Sequence, residues 1–431
     1  MQFYPLQEKA SSYYEASATE PARHPRFQGK THYDVAIIGA GYTGLSAALT
    51  LAKLGKAVAI FEAFTIGWGA SGRNGGQAHN GMRLDQDALE RMLGESTARE
   101  LWSFSQDAKE YLHTTMSTYG IECDYVPGII HAAHKKSFVA DHHRYAEKLS
   151  EKYNYTSTEK LDHRGVSEQL GSDCYYGGYI DRDAGHLHPL KLTYGLATAV
   201  LKEGALIFEK SKVNSYRRDS NRKVVINLEG GEVTADYLLI CGNGYMTALN
   251  DEIDRSILPI NNFIVATEPL TDAEHRKLLP NNFAVSDSRF VVLFWRKSRD
   301  GRLIFGGGEN YSARWPKDIA AFVRHYMLKI YPWLKSKRID FSWGGTLALT
   351  RSRMPYVKRL HPNVFVAAGY CGQGVVLAPF VGHVLGRAVN GSLDKLDLLE
   401  KIPTRHFPGG RHLRWPILVA GLTWHAILDQ L

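Results

Sequence analysis

The sequence predicts a protein of mixed α/β and α+β class: a parallel sheet assembled from distant segments, joined to a second domain built on an antiparallel sheet. Three observations predict this. Strand, glycine turn, helix and strand follow one another between residues 33 and 62; strand, glycine turn and helix recur at 364–389; and residues 262–308 hold β-rich pieces that would form a sheet of their own.

The first unit reads YDVAIIGAGYTGLS from Tyr33, then KAVAIFE from Lys56 to Glu62. Gly39 lets the turn tighten, Gly41 clears the approach of a pyrophosphate to the helix N-terminus, and Gly44 lets the helix lie close on the strand. Unpaired N–H groups around Tyr42 and Thr43 would meet phosphate oxygens. Glu62, followed by Ala63, ends the second strand where a carboxylate can accept both hydroxyls of an adenosine ribose. Together these features predict a dinucleotide site.

Helical periodicity then runs from Gln86 to Tyr119, with short apolar stretches at 128–132 and 175–180. His188-Pro189 opens a helix ending near Gly204. Strands are expected at 205–208, 213–216, 224–228 and 235–240, the last running into the turn Cys241-Gly-Asn-Gly244 and so returning to the nucleotide. The β-rich pieces are 263–267, 291–296 and 302–305, then a helix over 319–331. A final strand at 364–368 passes through GYCGQG, Gly369 to Gly374, into a helix over 375–389.

A nicotinamide dehydrogenase of consecutive domains does not fit this order. A flavin dinucleotide does, because it is long and distant segments can each cover part of it. The second glycine-rich segment, GWGASGRNGGQ from Gly67 to Gln77, strengthens the inference. Its backbone at Trp68, Gly69, Ala70, Gly75, Gly76 and Gln77 can approach a planar ring, while Ser71 and Asn74 supply hydrogen bonds and Arg73 can stabilise negative charge. Val213, Gly242, Gly344, Gly369, Gly372, Gln373, Gly374 and Val375 complete the expected cofactor contacts.

The charge of +8 comes from 52 basic and 44 acidic residues spread along the chain, without the basic tracts of a nucleic-acid groove. Four cysteines, at 123, 174, 241 and 371, form no CxxC pair, which argues against a disulfide scaffold or a structural zinc. Residues 1–32 lack the apolar core of a secretory signal and read as an extension wrapping the folded body, so a cytoplasmic location is expected. The apolar segment 415–428 is too short for a bilayer span. It reads as a docked helix or as a peripheral inner-membrane contact through which electrons reach a quinone. Nothing in the sequence points to an obligate protein partner.

From Gly67 to Gln77 the chain resembles the FAD-dependent D-amino-acid oxidase-like family, in particular its gamma-glutamylputrescine oxidoreductase branch. The resemblance continues through ECDYVPG at 122–128, DRDAGHLHP at 181–189, the glycines 306–308, SRMP at 352–355, GYCGQGV at 369–375 and FPGGR at 407–411. It implies a glutathione-reductase-like FAD-binding domain built from 33–85, 186–258 and 355–400, a substrate domain from 86–185 and 259–354, and a tail from 401 to 431. It further implies FAD, removal of hydride from a C–N bond of a small amine, and oxygen as acceptor; no Cys or His stands in a sequence context that demands attachment, so the FAD is expected to be noncovalent. The branch commonly carries Ser and His where this chain has Cys371 and Gln373, and AHNGM at 78–82 is a second departure.

Flavin oxidation of an amine needs a free lone pair and an aligned C–H rather than a protein base. Trp295, Trp343 and Tyr370 are therefore the expected aromatic cage, with Gln373 at the flavin and His79 polarising the substrate or tuning the flavin. Arg296 and Arg353 are candidates for a remote carboxylate. His186 and His188 alternate beside Asp181 and Asp183, yet this chemistry requires no metal and none is expected. A gamma-glutamylated amine is the leading substrate; a secondary amine or imino acid such as sarcosine or pipecolate is the alternative.

Overall fold

The computed structural model describes residues 12–246, 248–310 and 315–409. Its first sheet is ordered Tyr356–His361, Val364–Ala368, Gly231–Ile240, Gly29–Ile38, Val58–Phe61, Leu206–Phe208. The pairings from Val364–Ala368 through to Leu206–Phe208 are all parallel. Strand alternation gives this sheet two buried faces: Val35 and Ile37 enter one apolar cluster, Ala36 and Ile240 another. Val224–Leu228 and Val213–Arg218 extend it as an antiparallel ribbon.

The helix Tyr42–Lys53 crosses Gly374–Val389 where small residues let backbones meet. A Cβ on Gly382 would lie 2.2 Å from the Thr43 carbonyl oxygen, and one on Gly44 would lie 2.0 Å from that of Gly39. Both positions therefore exclude any side chain.

The second sheet runs Ile339–Leu349, Leu258–Thr267, Leu303–Asn310, Phe294–Lys297, Ala284–Asp287, Val126–Ala132, Gly178–His186, Gln77–Ala78, with Thr158–Leu161 beside Gly178–His186. Its pairings are antiparallel except that of Ala284–Asp287 with Val126–Ala132. Gln77–Ala78, directly after the second glycine segment, is thus already a strand of this sheet.

Several elements differ from the sequence expectation. The helical stretch from Gln86 breaks into Gln86–Leu93 and Glu95–Tyr119 because Gly94, at φ +83°, ends one and precedes the other. The strand Ile339–Leu349 and the helix Ser137–Tyr153 were not anticipated. The N-terminal extension is built into the core: Tyr14, on the short helix Tyr13–Ser17, is fully buried and packs edge-on against Trp343. Segment 415–428 lies outside the described residues. Among the described residues no helix is long and apolar enough to cross a membrane.

Replacing Gly44 by Ala is expected to destabilise the protein by roughly 3 kcal/mol or more, because the added methyl meets rigid backbone. Urea unfolding followed by far-UV circular dichroism will measure it.

Candidate active site

The two sheets border one cavity of ≈ 1640 Å³, well above the roughly 300–1,000 Å³ of ordinary ligand pockets. Gly39, Gly41, Tyr42, Thr43, Glu62 and Ala63 line it from the first glycine unit. Trp68 to Ser71 and Arg73 to Gln77 line it from the second, and Val213, Gly242, Gly372, Gln373, Gly374 and Val375 from later segments.

The two glycine segments are joined directly. The Tyr42 N–H donates to Ser71 Oγ (3.0 Å), and the Gly67 N–H to the Ala40 carbonyl (3.1 Å). Glu62 accepts from the N–H groups of Ala40 (2.8 Å) and Phe64 (2.9 Å), one on each carboxylate oxygen, so lone pairs remain for hydroxyl donors. Asn74 shapes its own loop, donating to the carbonyls of Ala70 and Ser71 and accepting from the Gly76 N–H.

Arg73 is buried. Its Nε donates to the Trp68 carbonyl (2.6 Å), its Nη1 to that of Gly344 (3.3 Å), and its guanidinium lies 4.5 Å from the centre of the Trp68 ring. Nη2 is buried without a protein partner. A glycine cradle closed to Cβ atoms, an acid with spare lone pairs and a buried donor awaiting an acceptor suit a bound FAD.

Several expected contacts fall elsewhere. Trp295 faces away from the cavity: Phe294 lines it, and the next residue on the same strand therefore points to the opposite face, where Trp295 stacks on Phe305 and donates to Tyr331. Trp343 lies beneath the site, donating Nε1 to the Arg73 carbonyl (3.1 Å). The cage of Trp295, Trp343 and Tyr370 is thus not assembled, and only Tyr370, held to Thr43 Oγ1 at 2.7 Å, lines the cavity. Gly44, Gly344 and Gly369 also stay off the wall: Gly44 abuts Gly39, Gly344 faces Phe263 and Trp315, and the Gly369 N–H donates to Asn243 Oδ1.

Arg296 corrects the carboxylate expectation. It is buried outside the cavity, donating to the carbonyls of Gly75 (2.8 Å) and Lys297 (3.2 Å) and to Tyr14 Oη (3.1 Å). Arg353 does line the cavity, over the Phe290 ring at 4.1 Å. His186 contacts the Asn282 carbonyl and His188 caps a helix while meeting Ser17, so the two imidazoles serve separate packing duties.

Sequence reading missed the opposite wall, made by His131, Tyr179 and His142. His131 stacks on Tyr179 at 4.5 Å, and His79 lies 5.5 Å from His131. Strand alternation gave no signal that these rings would face a shared space. Burial, with Arg83 nearby, lowers the His79 pKa from its ordinary 6.5 to about 4. Burial, then His79 and His142, hold His131 well below its usual range. Both are neutral near pH 7. His79 donates Nε2–H to Gln77 Oε1 (3.0 Å), leaving Nδ1 as an acceptor.

The two departing stretches meet each other. Gln373 Nε2 donates to the carbonyl of Asn80 (3.2 Å), and Arg83 Nε to that of Cys371 (3.0 Å).

The family described as FAD dependent oxidoreductase matches residues 34–388, and the chain belongs to it. It is an FAD-dependent enzyme that oxidises an amine or amino-acid C–N bond, with the cofactor held noncovalently. The chain is 38% identical to a probable oxidoreductase OrdL of Rhizobium meliloti (strain 1021), over 97% of each protein. It is 36% identical to gamma-glutamylputrescine oxidoreductase of Escherichia coli (strain K12), over 99% of this chain and 100% of that one. Glycine oxidase from Bacillus cereus ATCC 14579 shares the fold, with a TM-score of 0.68 at 22% identity over 86% of this chain and 99% of that one.

Acid precipitation is expected to leave the yellow chromophore in solution; flavin retained on the denatured chain would show attachment. Stability should fall as pH drops from 6.5 towards 4, because the unfolded chain takes up protons in that window that buried His79 refuses. Thermal melts across that range should show a shallower fall for His79→Asn.

Proposed function

We propose that the chain oxidises the primary amine of gamma-glutamylputrescine or a closely related gamma-glutamylated amine. Amine, oxygen and water give aldehyde, ammonia and hydrogen peroxide. The observation that carries this reading is the end-to-end similarity to the Escherichia coli enzyme, at 36% identity over 99% of this chain. A cavity with a wall beyond the flavin-contact segments supports it, since a long substrate needs that room.

Bound FAD supplies the hydride acceptor. The chain's residues prepare the amine. A wall of neutral imidazoles and tyrosine disfavours an ammonium and so favours the free base, whose lone pair the oxidation requires. His79 Nδ1 can accept a hydrogen bond from that amine. The N-terminus of the helix Gly374–Val389 faces the same cavity through Gly374 and Val375, and its dipole favours negative charge there. Gln373 fixes the approach of Asn80 and Gly81 to that helix start.

The second reading is a secondary-amine or imino-acid substrate, favoured by Cys371 and Gln373. Because Gln373 and the Cys371 carbonyl bond to the 80–83 loop, their first effect is on the shape of the wall. Anaerobic mixing with gamma-glutamylputrescine is expected to bleach the flavin; bleaching by pipecolate or sarcosine alone would reverse the choice. The rate of bleaching should rise with pH through the ionisation of the bound amine, and His79→Asn should change the rate while keeping that limb. Reoxidation by oxygen should outpace reoxidation by a soluble quinone; the reverse would make the enzyme a dehydrogenase.

A further inference from the structure

The geometry points to a receptor for a zwitterionic α-amino-acid head, made by Arg83 for the carboxylate and Asp85 for the ammonium, which selects substrates carrying such a head at the end remote from the oxidised amine. The inference rests on the gamma-glutamyl reading and names the residues that would enforce it.

Arg83 and Asp85 both line the cavity, two residues apart in the loop between the flavin-contact segment and the helix Gln86–Leu93. The two are not paired with each other, and among the described residues neither makes an ion pair. Two other charged pairs on the wall neutralise each other: Arg144 pairs with Asp141, and Arg289 with Asp287.

Each side chain is held at one atom and open at another. Arg83 is half-buried with Nε fixed on the Cys371 carbonyl at 3.0 Å, which leaves both Nη groups, the geometry that binds a carboxylate as a fork. Asp85 accepts the Ala88 N–H on Oδ1 (2.7 Å) as the helix cap and keeps Oδ2. Arg83 adds to the burial that lowers the His79 pKa, and Asp85 adds, after burial, Tyr145 and Asp181, to the rise at Tyr179, so both charges act on residues of the neutral wall. An amine with no charged head gains nothing from this pair. A gamma-glutamyl head satisfies both.

The test uses the flavin-loaded enzyme, Arg83→Met, Arg83→Lys and Asp85→Asn, the last retaining a good helix cap. Calorimetry measures binding, without oxygen, of gamma-glutamylpropylamide, which has the head but lacks the distal amine, and of glutarylpropylamide, which lacks the α-ammonium. Arg83→Met should weaken both ligands by roughly 30-fold or more, with Arg83→Lys between it and wild type. Asp85→Asn should weaken the first by roughly 10-fold and leave the second unchanged. The kcat/KM ratio of gamma-glutamylputrescine to putrescine should fall in parallel. Equal losses for both substrates, or wild-type affinities in Arg83→Met and Asp85→Asn, overturn the receptor while leaving the substrate reading intact. Failure of the wild type itself to bind gamma-glutamylpropylamide overturns both.

Discussion

The segment Gly67–Gly76 has to present its backbone to a flavin while lying between two sheets, and the rest of the site depends on how that backbone is held. Every anchor comes from a different part of the chain. Ala40 accepts the Gly67 N–H, the Leu187 N–H donates to the Gly76 carbonyl at 2.8 Å, Arg296 donates to the Gly75 carbonyl, and Trp343 to that of Arg73. A buried loop is stable only when its polar groups find such partners. Arg296, Trp343 and Tyr14 are therefore best understood as the support of the cofactor loop, although none of them lines the cavity.

This support explains why Trp295 and Trp343 do not touch the site. Indoles at 295 and 343 fill the space behind the loop and behind the sheet, where their N–H groups find Tyr331 and the Arg73 carbonyl. Beside Trp68 and Phe294, the cavity wall carries more polar rings: His79, His131, His142, Tyr179 and Tyr370. Such a wall can be desolvating and still offer acceptors, a combination that an all-indole cage lacks and that a neutral amine requires.

The departures at Cys371–Gln373 and 78–82 form one unit across the interface between the sheets. Cys371 sits at φ +52° in the turn, offers its carbonyl to Arg83, and receives the Thr350 N–H at its buried sulfur (3.5 Å). A change on one side of that contact would alter the loop carrying Arg83 and Asp85, which ties cofactor geometry to substrate selection.

The sequence by itself determined the local units. Gly39 is dictated by its φ of +101° and Gly44 by a carbonyl that no Cβ tolerates, and strands such as Val364–Ala368 follow from short-range periodicity, so these are legible from local sequence. Only the tertiary structure decided which side chains share the cavity. Whether residue 294 or 295 faces the ligand depends on sheet pairing, and a one-residue change of register reverses the answer. Likewise Arg296 and Arg83 look equivalent in the sequence, but one spends its donors on backbone carbonyls and the other keeps a fork at the wall, because what an arginine binds is set by the acceptors that folding brings to it.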